Sequence, residues 1–170
     1  MPESNTKTGI SIRKACKSDT PLILSFIRQL AEYEKMSGEV VATQELLEEV
    51  LFGEYPSAEV VLAYCGSAPA GFAIYFFNFS TFLGRPGLYL EDLFVSPELR
   101  GKGIGKALLV HLAGIAVNKK CGRFEWSVLD WNEPAIKFYR SLGARPMDEW
   151  TVFRIDGEGL KKLAEIKMEK

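Results

Sequence analysis

Leu90-Glu91-Asp92-Leu93-Phe94-Val95-Ser96-Pro97-Glu98-Leu99-Arg100-Gly101-Lys102-Gly103-Ile104-Gly105-Lys106 reads as a buried strand, a short turn, a glycine-rich loop and the start of a helix. Two carboxylates interrupt the apolar strand. Glycines alternate with other residues at 101, 103 and 105, between two lysines and after an arginine. A helix that opens on such a loop has unpaired backbone N–H groups at its end, and its dipole favours an anion there. The stretch predicts a phosphate cradle beside an ionisable strand.

The neighbouring segments fit around it. Residues 10–13 alternate apolar and polar, as a short strand does. Ser18-Asp19-Thr20-Pro21 predicts a helix start with a capping hydroxyl, leading to a helix that ends near Lys35 with Ile23, Phe26, Ile27 and Leu30 on one face. Thr43 predicts the N-cap of a second helix with an apolar stripe of Leu46, Leu47, Val50 and Leu51. Residues 58–65 and 70–79 read as an antiparallel hairpin, followed by a loop over 80–87 and a third strand over 88–95. After the glycine loop come a helix over 104–118, a strand over 121–129 and a helix from Asn132-Glu133-Pro134 to Leu142. A last strand is expected over 150–155 and a last short helix over 160–166. This order predicts a mixed α+β (α/β) domain over residues 10–170, behind a loose polar tail over 1–9.

Bulk properties narrow the function. With 170 residues, 47% hydrophobic and 25% charged, the chain can bury a core. A net charge of −1 argues against a nucleic-acid partner. The apolar runs are too short to span a membrane. The 3 cysteines are scattered with no paired spacing, so no metal site or disulfide framework is expected and a cytoplasmic location is. His111 is the sole histidine and reads as a packed or partly exposed helix residue rather than a catalytic one.

Two phosphate-binding patterns fail on the loop. The Walker pattern would need glycine where Arg100 stands and a hydroxyl where Ala107 stands. The dinucleotide pattern would need glycine at Lys106 or at Leu108. What remains is Arg-x-x-Gly-x-Gly over Arg100–Gly105, with a solvated connecting loop as the plain structural alternative. This motif resembles that of the Gcn5-related N-acetyltransferase (GNAT) superfamily. The likeness is strongest to its diamine and thialysine branch (spermidine/spermine N1-acetyltransferase-like). It is carried by Leu30–Lys35, Tyr89–Asp92, the loop, Asp130–Ala135 with Phe138-Tyr139, and Leu142–Ala144.

The resemblance implies a GNAT fold, a central mixed and mostly antiparallel sheet flanked by helices on both faces. It implies acetyl-CoA as co-substrate with no metal, and a homodimer. Leu93, Phe94 and Val95 would face the pantetheine arm, splaying from a bulge. Arg100, Gly101, Lys102, Gly103, Ile104, Gly105 and Lys106 would hold the pyrophosphate. Asn132, Glu133, Pro134 and Ala135 would contact the far part of coenzyme A. Tyr139 would sit by the thioester sulfur and protonate the leaving thiolate, and Glu91 would be the general base, directly or through water. The residues agree chemically. An alkylamine has a pKa of about 10.4 and must lose a proton to attack. Adjacent Glu91 and Asp92 should point to opposite faces of a strand, and a carboxylate flanked by Leu90 and Leu93 should have a raised pKa.

For the amine, the resemblance places Tyr33, Glu34, Ser80, Phe82, Glu91, Asp92, Glu125, Trp126, Ser127 and Glu149 around the mouth. Polyamine acetyltransferases carry an acidic residue and a tryptophan where this chain has Ser80-Thr81-Phe82, so the chain is closer to the thialysine branch. The expectation is direct acetyl transfer to a small primary amine, thialysine-like, lysine-like or a diamine. Polyamine acetylation is the first alternative. A protein or peptide N-acetyltransferase and a non-catalytic acyl-CoA-binding protein are the others.

Overall fold

The computed structural model describes residues 9–167, so all but the last residue of the expected tail lies outside the described residues. The chain forms two compact units, one ending at Ser127 and the other beginning at Val128.

The first unit is built on a five-stranded sheet in the order β1-β2-β3-β4-β5. Its strands are β1 (Ile10–Lys14), β2 (Glu59–Cys65), β3 (Ala68–Ser80), β4 (Arg85–Val95) and β5 (Arg123–Trp126). The first four pair antiparallel and β5 pairs parallel to β4, so the sheet is mixed and mostly antiparallel. Helices α1 (Thr20–Tyr33) and α2 (Gln44–Phe52) cover one face. Their Ile23, Leu24, Phe26, Leu47 and Leu51 pack with Val60, Leu62, Phe72, Ile74 and Phe94. Phe26 lies 5.6 Å from Phe72 and 5.9 Å from Phe94, centroid to centroid. Helix α3 (Ile104–Asn118) packs on β3 and β4 and buries Ile104, Leu108, Leu109 and Leu112, none of which joins the α1–α2 cluster.

Local chemistry explains most boundaries. Thr43 caps α2 by accepting from the Leu46 N–H at 3.3 Å. The helix buries Leu47 and Leu51 but leaves Leu46 and Val50 exposed, because only one side of a three-turn helix meets the sheet. At α1 the expected capping hydroxyl does not cap: Asp19 is the N-cap, and its carboxylate turns away to Arg13 at 2.7 Å. The β3–β4 connection is shorter than expected. The ladder continues to Ser80↔Arg85, and Gly84, at φ +60°, supplies the left-handed turn that closes it.

The second unit contains α4 (Glu133–Ser141) and α5 (Gly157–Ala164). Gly143, at φ +89°, ends α4 as expected. The strand expected over 150–155 does not form. Its backbone enters no ladder among the described residues, and Val152 and Phe153 are exposed. Alternating β-branched and aromatic residues favour a strand only when a neighbouring strand takes the hydrogen bonds.

Candidate active site

Along β4 the register breaks once. Ile74 pairs with Asp92, Tyr75 with Leu90 and Phe76 with Tyr89, so Glu91 is an extra residue on β4 with no partner on β3. Ile74 and Phe76 share a face of β3. Their partners Asp92 and Tyr89 therefore share one too, although a flat strand would put them on opposite faces. The bulge thus moves Asp92 onto the α1 face with Phe94, whereas Leu88 and Leu90 lie on the other face. It stands at Glu91, upstream of Phe94 and Val95, the residues that the resemblance has splaying from a bulge. The parallel pairing of β5 with β4 ends at Leu90↔Trp126, one residue before the bulge. From Glu91 to Val95, β4 keeps β3 on one side and has no strand of this sheet on the other.

Three carboxylates, those of Asp92, Glu91 and Glu34, interact near the bulge. Burial is the main force that pushes the Asp92 carboxyl up to about 6, and the negative charges of Glu91 and Glu34 add to it. Burial also raises the Glu34 carboxyl. Glu91 itself is exposed at the bulge. The low-dielectric setting expected for a carboxylate between Leu90 and Leu93 belongs to Asp92, because the bulge turns Asp92 toward α1.

Beyond β4 a short 3-10 turn over Pro97–Leu99 leads to the glycine loop. Gly101 and Gly103 have φ of +76° and +85°, and Gly103 is the N-cap of α3. A Cβ at either would meet nothing within 4 Å, so glycine is required there by conformation and not by crowding. Gly105 lies in the first turn of α3. The first bond of α3 runs from the Ala107 N–H to the Gly103 carbonyl, at 2.9 Å. The amides of Ile104, Gly105 and Lys106 therefore precede the helical ladder and stand at the positive end of its dipole. With Arg100, Lys102 and Lys106 around them, they fit an anionic diphosphate.

The remaining expected residues fall as follows. In the first unit, Ser80 is buried and its hydroxyl accepts from the Leu83 N–H at 3.3 Å, a turn-stabilising task. Phe82 is exposed at the hairpin tip. Glu125 pairs with Arg123 at 2.8 Å, Trp126 packs edge-on against Phe124 at 5.0 Å, and the Ser127 hydroxyl meets the Tyr89 hydroxyl at 2.8 Å. In the second unit, Asn132 caps α4 by accepting from the Ala135 N–H at 3.3 Å, with Glu133 and Pro134 in the first turn. Tyr139 is half-buried beside Phe138, with centroids 5.4 Å apart. Glu149 is exposed in a segment without regular structure.

The family model of the acetyltransferase (GNAT) family matches residues 27–144, which include the bulge, the glycine loop and α4. The chain belongs to the GNAT family. This GNAT chain is 41% identical over 167 residues to thialysine N-epsilon-acetyltransferase of Sus scrofa, covering 92% of this chain and 98% of the relative. It is 30% identical to L-ornithine N5-acetyltransferase of Arabidopsis thaliana, covering 98% and 97%. Among solved structures it resembles an integron cassette protein from the mobile metagenome of V. cholerae, with a TM-score of 0.78, 32% identity and coverage of 93% and 99%.

Two features of this GNAT site lie outside what the sequence predicts. The Arg100 guanidinium lies over the Tyr33 ring, 4.5 Å from its centroid, and the bulge sits one residue past the end of the β5 ladder. Neither has a local signal, because each joins residues far apart in the chain.

Proposed function

We propose that this chain transfers the acetyl group of acetyl-CoA directly to the terminal amine of a small aminoalkyl compound, thialysine-like or lysine-like. The observation that carries the proposal is the bulge at Glu91. There the β5 side of β4 opens, three carboxylates gather, and the strand leads straight into the glycine loop.

The resemblance suggests the roles, and the geometry of the first unit supports those on β4 and the glycine loop. The open edge of β4 at Leu93, Phe94 and Val95 gives the pantetheine amides hydrogen-bond partners. The loop and the first turn of α3 take the diphosphate. Asp92 and Glu34 hold the incoming ammonium by charge-assisted bonds. Glu91, in contact with solvent, takes the proton through water, and the neutral amine attacks the thioester carbonyl. A backbone N–H near Phe94 or Val95 polarises that carbonyl. Tyr139 gives its phenolic proton to the leaving thiolate, and Asn132, as the cap of α4, orients the helix that carries it.

The thialysine and ornithine names of two relatives, and the absence of an acidic residue and a tryptophan at 80–82, support a short acceptor. The kcat/KM for thialysine is expected to exceed that for spermidine by about tenfold, the equivalent of one lost charged contact. A preference for spermidine would overturn this choice of acceptor and favour the polyamine reading.

The loop has its own test. Gly103→Ala forces a side chain into left-handed backbone, at a cost of about 1–2 kcal/mol. Titration with CoA should show binding weakened about tenfold. Unchanged affinity would remove the loop from the diphosphate site.

The exposed Phe79, Phe82 and Leu83 around the hairpin tip support the homodimer that the resemblance implies. The free thiols of Cys16, Cys65 and Cys121 suit a cytoplasmic setting. No helix among the described residues is long and apolar enough to cross a membrane.

A further inference from the structure

We propose that Tyr33 positions Arg100 for the diphosphate of coenzyme A, and so acts on the thioester substrate rather than on the amine. The proposal rests on the acetyl-CoA reading above. The resemblance implies Tyr33 at the amine mouth and Arg100 in the loop, with no link between them.

Three contacts define the arrangement. The guanidinium lies over the Tyr33 ring at 4.5 Å from the centroid, within cation–π range. It lies 5.8 Å from the Phe94 ring. Its Nε donates to the Val95 carbonyl at 3.0 Å. The guanidinium is thus held by the Tyr33 ring and by a backbone carbonyl. Nε is used for the backbone, and the two terminal nitrogens of the fork remain for oxygens of an anion, the geometry in which arginine binds phosphate best.

The support for Tyr33 is rigid. It is the last residue of α1, and the turn after it is closed by Glu34 N–H to Leu30 carbonyl at 2.9 Å and Met36 N–H to Ala31 carbonyl at 2.8 Å. Lys35, at φ +62°, makes that turn. An exposed arginine normally loses much rotamer freedom when it grips a ligand. Here the ring and the Val95 carbonyl hold the side chain before the ligand arrives, and such pre-organisation raises affinity by lowering the cost of binding.

The test is calorimetric titration of CoA into wild type, Tyr33→Phe, Tyr33→Leu, Arg100→Ala and the Tyr33→Leu/Arg100→Ala double variant. In parallel, kcat/KM is measured with acetyl-pantetheine, a thioester that lacks the diphosphate. Tyr33→Leu is expected to weaken CoA binding by about 3- to 30-fold. Tyr33→Phe, which keeps the ring, should stay within about twofold of wild type, since the cation meets the ring face and not the hydroxyl. Tyr33→Leu should add no loss to Arg100→Ala and should cost less in kcat/KM with acetyl-pantetheine than with acetyl-CoA. Wild-type affinity in Tyr33→Leu, an equal loss in Tyr33→Phe, or an equal loss with acetyl-pantetheine would overturn the proposal while leaving the acetyl-CoA reading in place. Failure of the wild type to bind CoA would overturn both.

Discussion

Asp92→Asn is expected to raise the KM for the amine by about 10- to 100-fold and, at the same time, to stabilise the fold above pH 6. The first effect is the loss of a charged partner for the ammonium, worth about 1.5–3 kcal/mol when the contact is partly buried. The second follows from linkage. The carboxyl of Asp92 is raised from 3.8 to about 6 by burial first and by Glu91 and Glu34 next. A folded-state pKa above the unfolded one means that the native state binds more protons between those two values. Stability is then fully present below pH 4 and is lost as pH rises to 6 and beyond. Asparagine does not titrate, so the variant escapes that loss. Urea unfolding of both proteins at pH 4 and pH 8 should show their stability difference shifting toward the variant by about 2 kcal/mol. The wild-type kcat/KM for the amine should also fall below pH 6 as Asp92 takes up a proton, with a limb that the variant lacks. A stability difference that is the same at both pH values would mean that Asp92 is not held in a perturbed state. Destabilisation for the sake of a charged site is the common trade between activity and stability.

Tyr139→Phe should lower kcat by about 100-fold, the lower end of what a positioned general acid contributes, and leave the affinity for acetyl-CoA nearly unchanged. Helix α4 begins on the Asn132 cap and ends at Gly143, so removing one hydroxyl should keep it intact. Pre-steady-state release of CoA, followed with a thiol reagent, separates chemistry from binding. A kcat within a few-fold of wild type would take the acid role from Tyr139. A loss shared equally with acetyl-CoA affinity would make it a binding residue.

Much of the site was legible locally. The glycine loop, the apolar face of α1, the Thr43 cap and the helix start at Asn132-Glu133-Pro134 are short-range patterns, and the structure forms each of them where expected. The misplacements have one kind of cause. Residues 150–155 have a strand's composition, yet no neighbour takes their hydrogen bonds. Leu46 and Val50 have a core's composition but lie on the side of α2 away from the sheet. The Glu91-Asp92 pair stands between Leu90 and Leu93, and the bulge decides that Asp92 is the carboxyl turned toward α1.

The sequence by itself determined the anion loop, the family, and which residue types carry charge and protons. These depend on backbone conformations and side-chain chemistry that neighbouring residues set. Tertiary structure alone decided which carboxylate is buried, where the sheet opens, and that Tyr33 lies beneath Arg100. The β3–β4 register places one extra residue at Glu91, and a single inserted residue in a strand reverses the face of those that follow. Such a register is fixed by pairing across two strands and by the helices packed on them, so no stretch of β4 read alone contains it.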